Sequence, residues 1–156
     1  MEFRYELVGT GWAVARLTCD DQSAELTASY LSDALGDLLV AAWTLTEGET
    51  DVRCSWDEEP GEYRWLLHCD GDNVNVRVLW FDQPWGHQPD DQGRIVFYAR
   101  PTLESFVRAL VDGASAVQQL HGHDGYRKKW VDHNFPADTL AYLDRWLDQP
   151  APPAER

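Results

Sequence analysis

The sequence predicts an α+β fold, in which an antiparallel sheet of five to six strands is covered on one face by two long helices and a shorter C-terminal helix. Residues 50–100 contain four segments of alternating polar and apolar residues, separated by turns or a polar loop, as in an antiparallel meander. Before and after this region, apolar residues recur at helical spacing. The 156 residues are enough to bury a core, so we expect one domain over residues 1–149 and a disordered tail at 150–156.

The N-terminal part of the chain is predicted to begin with a β-hairpin. Every second residue from Phe3 to Leu7 is apolar, which is the period of a half-buried strand. A Gly-Thr-Gly turn at 9–11 leads into a second strand over residues 12–17. Residues 24–31 fit either a third strand or the beginning of a helix, and the pattern does not decide between them.

Three helices are predicted around the meander. Ser32 is a suitable N-cap for the first, and Gly48 is well placed to end it. Thr102 caps the second, which we expect to end in the His-Gly-His-Asp-Gly turn at 121–125. A basic and aromatic linker then leads to a third helix that starts at 134–136. The residues of the first helix expected to face the core are Leu35, Leu38, Leu39, Ala42 and Trp43.

The two tight turns of the meander predict its register. A two-residue loop at 60–61 would place Trp56 opposite Trp65, and a two-residue loop at 71–72 would place Leu67 opposite Val76. A longer loop at 60–61 is the alternative, because Pro-Gly suits a type II turn and hairpins favour primed turns. Both turns put the same residues on the apolar face, an agreement that a one-residue slip would destroy. That face comprises Val52, Cys54, Trp56, Tyr63, Trp65, Leu67, Cys69, Val74, Val76, Val78 and Trp80. The opposite, mixed face comprises Arg53, Ser55, Asp57, Arg64, Leu66, His68, Asn75, Arg77, Leu79 and Phe81.

The net charge of −14 restricts the kinds of partner that suit this protein. Nucleic acids and anionic membranes are negatively charged, so neither is expected to bind. A basic protein partner fits the charge because complementary fields speed association, although solubility alone also explains it. No apolar run approaches the roughly 20 residues of a membrane helix, and the N-terminus lacks the features of a signal peptide, so we expect a cytoplasmic protein.

No motif in the sequence points to catalysis. The chain contains neither a Gly-x-Ser-x-Gly nucleophile motif nor a glycine-rich phosphate-binding loop. We therefore predict no catalytic residue and no cofactor, and favour a non-enzymatic protein. His121, His123 and His133 have side chains that zinc prefers. Histidines near a helix end also suit the helix dipole, however, and no metal site is predicted.

An acidic rim is the first candidate for a binding surface. Acids at the tip of the 57–62 hairpin and in the loop 83–93 would surround Trp85. A tryptophan can anchor a partner while carboxylates around it steer a basic protein towards the site. Solvated loop acids would give the same pattern without any partner. The acidic rim comprises Asp57, Glu58, Glu59, Glu62, Trp85, His87, Asp90 and Asp91.

The mixed face of the sheet is the alternative candidate. Its basic side chains could hold an anionic or aromatic ligand, unless they pair with carboxylates across the sheet, as the register predicts for Arg64 and Asp57. The same region offers Leu79, Phe81 and Trp85 for self-association into a homo-oligomer. The basic residues of the predicted ligand site are Arg53, Arg64, His68 and Arg77.

Two segments of the chain resemble a known group of proteins. The hairpin SWDEEPGEYRW at 55–65 and the linker YRKKWVDHNFP at 126–136, within the same general order of elements, are similar to small actinobacterial proteins of unknown function. Some of those proteins are encoded near toxin or secretion genes. The resemblance covers most of the chain and implies a binding or immunity role, because immunity proteins often present acidic surfaces to basic nuclease toxins.

Overall fold

The structure, a computed structural model, describes residues 1–83 and 87–149. Within these residues the chain forms two antiparallel sheets and three α-helices, with a 3-10 turn at Asp90–Gln92. The α+β class predicted from the sequence is confirmed. The elements are β1 (Glu2–Leu7), β2 (Trp12–Cys19), β3 (Gln22–Ser29), α1 (Ala34–Thr46), β4 (Asp51–Asp57), β5 (Glu62–Asp70), β6 (Asn73–Phe81), β7 (Arg94–Ala99), α2 (Leu103–Lys129) and α3 (Ala137–Leu147).

The strands form two sheets, where the sequence predicted one sheet of five to six strands. In the described residues, β1, β2 and β3 form a three-stranded sheet in that order, and β4 to β7 form a four-stranded sheet in that order. The ambiguous residues 24–31 lie mostly in β3, which pairs with β2 across a two-residue turn at Asp20 and Asp21. The prediction of a single sheet is wrong because β3 and β4, which α1 separates in the chain, belong to different sheets. The alternation of polar and apolar residues shows the two faces of a strand, but it does not show which strands pair with it.

The register of the meander is as predicted at one turn and shifted at the other. Leu67 lies opposite Val76, as expected from the turn at 71–72. The first loop has four residues, Glu58–Gly61. The backbone N–H of Glu58 donates a hydrogen bond to the carbonyl of Gly61 (2.8 Å) and closes this loop. Trp56 therefore lies opposite Tyr63, two positions from its predicted partner. An even shift preserves the faces, so the apolar face is still the buried one.

One hydrophobic core is shared by both sheets and the three helices of the described residues. Its centre is aromatic, because Trp56, Trp65 and Trp130 are fully buried. Tyr5 of β1 packs edge-on against Trp56 (5.9 Å between ring centroids) and against Trp130 (6.3 Å). The predicted alternation of β1 is confirmed, since its side chains are buried at every second position from Phe3.

The start of α1 and its packing differ from the prediction. Asp33, and not Ser32, occupies the N-cap position, and its side chain makes no capping hydrogen bond. The Ser32 hydroxyl instead accepts a hydrogen bond from the backbone N–H of Asp57 (2.9 Å), which ties the start of α1 to the end of β4. Trp43 was expected in the core. It is 41% exposed and packs edge-on against Tyr142 of α3.

The helix ends follow the predictions in part. Gly48 has a φ of 101° and directly follows the end of α1, and Thr102 caps α2 by accepting a hydrogen bond from a backbone N–H of its first turn (3.1 Å). The helical backbone of α2 is interrupted at Gly122 (φ 63°, ψ 177°), within the predicted turn at 121–125, and a further helical segment continues to Lys129. Residues 150–156, expected to be disordered, lie outside the described residues.

α2 follows β1 along its length. The closest approach is at Gly113, where a Cβ would lie 2.6 Å from a ring carbon of Phe3 and 2.7 Å from the Phe3 carbonyl oxygen. At the other end of the strand, the N–H of Gly11 donates to the carbonyl of Lys129 (2.7 Å). Glycine at 113 therefore sets the spacing between helix and strand. None of the helices in residues 1–83 and 87–149 combines the length and the apolar character needed to cross a membrane.

Candidate functional site

A buried ion-pair network occupies the outer face of the four-stranded sheet. The Arg64 side chain of β5 is 5% exposed, and its guanidinium pairs with the carboxylates of Glu62 (3.2 Å) and Asp90 (2.7 Å). It also donates to the carbonyl of Gln88 (2.8 Å) and lies over the ring of Phe81, 4.1 Å from its centroid. Arg64 therefore fastens the loop after β6 to the sheet, which is a structural task.

The predicted acidic rim and the predicted basic face are parts of this one network. Asp90 from the acidic loop binds Arg53 (2.7 Å) as well as Arg64, and hydrogen bonds from these two guanidiniums lower the pKa of Asp90. The predicted pairing of Arg64 with Asp57 is wrong, because the longer first turn places Ser55 opposite Arg64. The negative charge of Asp90, predicted for the acidic rim, and the positive charges of Arg53 and Arg64, predicted for the ligand site, are thus paired with each other within the fold.

The predicted surface for self-association is not formed. Leu79 and Phe81 are each 2% exposed. The chain that returns from the loop covers them, since a Cβ at Gly93 would lie 2.6 Å from the ring of Phe81 and 2.9 Å from the Cβ of Leu79. Trp85, which was predicted for this surface and for the acidic rim, lies outside the described residues.

A cleft of about 280 Å³ stays open on the same face, beside the network. Leu66 lines it together with Arg53, His68 and Arg77. The imidazole of His68 is 2.7 Å from the carboxylate of Asp51, and this hydrogen bond lowers the pKa of Asp51. Within the described part of the chain, Arg77 is exposed and makes no hydrogen bond or ion pair. Of the four predicted ligand-binding residues, the structure brings three to the cleft and commits Arg64 to the network.

Most acids of the predicted rim have contacts within the fold. Glu58 accepts hydrogen bonds from the hydroxyl of Thr27 (2.5 Å) and from the indole N–H of Trp80 (2.8 Å), which joins the first turn of the meander to β3 and β6. Glu62 and Asp90 belong to the Arg64 network. Glu62 and Asp90 therefore offer little free charge to a partner, whereas Glu58 is fixed by neutral donors and keeps its charge. The other described members of the rim are Glu59, His87 and Asp91, which are exposed, and Asp57, which is half-buried.

Asp57 and Glu59 belong instead to a surface that we call the acidic cluster, formed with Asp33 and Asp37 at the start of α1. Burial raises the pKa of Asp33, Asp37 and Asp57, and nearby carboxylates raise the pKa of Asp37 and Asp57 further. Among the described residues, the imidazole of His133 is the one basic group that lowers the pKa of Asp33 and Asp37. Sequence reasoning missed Asp33 and Asp37 because tertiary packing alone brings them to the β4–β5 turn.

The histidines considered as metal ligands are not assembled into a site. His123 stacks on the ring of Phe135, with 5.5 Å between ring centroids, and Nε2 of His133 is 2.8 Å from the carbonyl oxygen of Tyr30. Burial lowers the pKa of His121. No three His, Cys, Asp or Glu side chains within residues 1–83 and 87–149 are arranged to hold a metal ion.

A groove of about 770 Å³ lies between β1 and α2, and the sequence did not reveal it. The strand lines the groove along its whole length, and the helix contributes Ala116, Val117 and Leu120. Leu120 continues the apolar stripe of α2 three residues after Val117, yet it is 77% exposed. The exposure of this leucine beside the groove marks the surface, and no sequence-based prediction concerned Leu120.

Comparison with known proteins adds no relative to this picture. No family model, no curated protein and no solved structure matches the chain. The function must therefore be argued from the surfaces described above.

Proposed function

We propose that this protein is a non-enzymatic interaction module that binds a basic partner protein, a role of the immunity or regulatory type. The acidic cluster is the observation that carries the proposal. Burial raises the pKa of three of its carboxylates, and repulsion from neighbouring carboxylates raises the pKa of Asp37 and Asp57 further, so the negative charges are kept at a free-energy cost to the fold. A basic partner would relieve this repulsion on binding, which is a common reason for such clusters at functional surfaces.

The distribution of the basic residues supports the same proposal. In the described residues, six arginines form ion pairs with carboxylates of the same chain: Arg16, Arg53, Arg64, Arg100, Arg108 and Arg127. The chain has 27 acidic and 13 basic residues. Because much of its basic charge is already paired internally, the excess acids dominate the field that an approaching protein meets.

The partner can be sought with two matched variants. Asp37→Asn with Glu59→Gln removes two charges from the acidic cluster. Asp144→Asn with Asp148→Asn, here the α3 variant, removes one exposed charge within α3 and one directly after its last residue. The full chain is immobilised and used to isolate proteins from an extract of the source organism. Each recovered protein is purified, and its binding to the wild type and to both variants is measured by surface plasmon resonance.

A basic protein should be recovered, and its association rate should fall as salt rises from about 50 mM to about 500 mM, because screening weakens long-range attraction. The cluster variant should associate about 3- to 10-fold more slowly than the α3 variant, since steering depends on charge near the contact. The proposal fails if no recovered protein is basic, or if both variants bind like the wild type at every salt concentration.

The cleft on the outer face of the four-stranded sheet supports a second candidate function, the binding of a small anion. Arg77 is the specific observation, because its guanidinium has no partner among the described residues and lies with Arg53 and His68 around one cleft. A carboxylate or phosphate could accept hydrogen bonds from both guanidiniums, while Leu66 would contact an apolar part of the ligand.

Thermal shift with sodium benzoate and with inorganic phosphate tests this candidate directly. Either probe should raise the melting temperature of the wild type, and Arg77→Met should abolish the rise. Arg100→Met, which removes an exposed arginine outside the cleft, should leave the rise unchanged. If neither probe shifts the wild type at a concentration of about 10 mM, the cleft does not bind anions of this class with a useful affinity.

A further inference from the structure

We propose that the cleft on the outer face of the four-stranded sheet binds a small aromatic carboxylate that carries a hydroxyl group on the opposite end of its ring. The proposal rests on the second candidate function, the binding of a small anion, and names the class of that anion. The cleft volume of about 280 Å³ is slightly below the usual range for ligand pockets, so a ligand of one ring suits it.

Four residues of the cleft form a rectangle on the surface of the sheet. In the pairing of β5 with β6, Leu66 lies opposite Arg77. Two positions further along β5, His68 lies opposite Asn75. Side chains two positions apart on a strand share a face, so all four border the same cleft. Arg77 and His68 stand at diagonal corners, and diagonal neighbours of this kind are about 7 to 8 Å apart.

The corner at Arg77 is suited to a carboxylate. Its guanidinium is the one charged group of the cleft that makes no ion pair or hydrogen bond among the described residues. Asp90 is already paired with Arg53 (2.7 Å). Asp51 lies opposite His68 on β4, which is on the side of β5 away from Arg77. A ligand carboxylate can therefore form two parallel hydrogen bonds with Arg77 without displacing an existing partner.

Asn75 offers a second donor beside Arg77. Its side-chain oxygen accepts a hydrogen bond from the hydroxyl of Tyr98 (3.3 Å). This contact fixes the orientation of the amide, whose NH₂ group has no partner in the described part of the chain and is left to donate. Tyr98 lies directly opposite Arg77, and its ring is 49% exposed. An aromatic ligand held at this corner can therefore contact a second ring.

The corner at His68 offers an acceptor. Nδ1 of its imidazole is 2.7 Å from the carboxylate of Asp51. An ionised carboxylate only accepts hydrogen bonds, so Nδ1 carries the proton that joins the two groups. In the neutral imidazole Nε2 is then an acceptor, and it makes no hydrogen bond within residues 1–83 and 87–149. A ligand hydroxyl at this end donates to Nε2, whereas a methyl group in its place leaves Nε2 unpaired.

A ring is the part of the ligand that best joins the two corners. Leu66 is half-buried and lies between the two corners on the cleft floor, so it presents apolar surface to the face of a ring. A rigid ring also keeps the carboxylate and the hydroxyl at a fixed separation, and it loses less conformational entropy on binding than a flexible chain. 4-Hydroxybenzoate is the simplest molecule with these groups.

The test compares 4-hydroxybenzoate with 4-methylbenzoate, which has nearly the same shape and lacks the hydroxyl donor. At neutral pH the carboxylate of each probe is ionised and the phenol of 4-hydroxybenzoate is protonated. NMR titration of the isotope-labelled full chain should give a dissociation constant below about 1 mM for 4-hydroxybenzoate, with shifts in the amides of β5 and β6. 4-Methylbenzoate should bind about 5- to 10-fold more weakly, because it lacks one hydrogen bond. Equal affinities, or shifts confined to residues outside the cleft, would overturn the proposal.

Variants of exposed residues separate the two ends of the ligand. His68→Ala removes the acceptor and should bring the affinities of the two probes to within about 2-fold of each other. His121→Ala, a matched change in the groove between β1 and α2, should keep the difference seen in the wild type. Arg77→Met should lose both probes. An undiminished preference for 4-hydroxybenzoate in His68→Ala would show that the hydroxyl is not bound at His68, and the assignment would be wrong.

Inorganic phosphate distinguishes the failure of this proposal from the failure of the second candidate function. If phosphate and both benzoates bind the wild type equally and Arg77→Met loses all three, the class of ligand is wrong while anion binding stands. If no probe binds at a concentration of about 10 mM, or if Arg77→Met binds every probe like the wild type, both proposals fail.

Discussion

The replacement of Arg64 by methionine tests the interpretation of the outer face as a structural network. The side chains of Arg64 and Glu62 are 5% and 1% exposed, so their charges interact with little screening from water. Methionine keeps the length and removes the charge, and Glu62 loses the guanidinium that pairs with it. Breaking a buried ion pair by removing one partner costs about 3 to 5 kcal/mol. For a chain of this size, about 3 kcal/mol corresponds to a melting temperature about 6 to 12 °C lower.

Arg53→Met is the matched control. Arg53 binds the same Asp90 at the same distance of 2.7 Å, but its side chain is 61% exposed. An exposed pair is screened by solvent, so this change should lower the free energy of unfolding by less than about 1 kcal/mol. Urea denaturation followed by tryptophan fluorescence measures both values. Equal and small costs for the two variants would show that Arg64 is not the residue that holds the loop, and it would become a candidate ligand-binding residue again.

Three further predictions concern the core and the acidic cluster. Gly113→Ala should lower the free energy of unfolding by about 1 to 3 kcal/mol, because its Cβ would collide with Phe3. Gly125→Ala, whose Cβ would meet only an ordinary contact at 3.5 Å, should raise it by about 0.5 to 1 kcal/mol, and the absence of a loss at Gly113 would contradict the packing of α2 on β1. The hydroxyls of Tyr5 and Tyr126 are buried without a hydrogen-bond partner among the described residues. Each Tyr→Phe change should therefore be neutral or stabilising in the same denaturation assay. A loss of more than about 1.5 kcal/mol in the free energy of unfolding would reveal a hydrogen bond to buried water. Burial and neighbouring carboxylates raise the pKa of Asp57, so ionisation of this group destabilises the fold as pH rises through that pKa. Asp57→Asn should therefore raise the melting temperature at pH 7 and give no gain below the unfolded pKa of about 4. A gain that persists in acid would refute the electrostatic cause.

The faces of the strands were predictable from the sequence, whereas the partners of the strands were not. Side chains alternate with a period of two, so the apolar set of the meander was identified even though the first turn is two residues longer than expected. An even shift leaves every side chain on the same face. Turn length depends on what the loop side chains contact, and Glu58 contacts Thr27 and Trp80, which no local pattern reports.

The candidate sites were harder to predict because charge patterning does not show which charges meet. Glu62 and Asp90 were predicted for one surface and Arg64 for another, yet the fold brings all three together. Asp33 and Asp37 were not considered, because their closeness to Asp57 depends on how α1 packs against β4. The groove was invisible for the same reason, since it lies between β1 and α2, and how these two elements pack against each other is not reported by any local pattern.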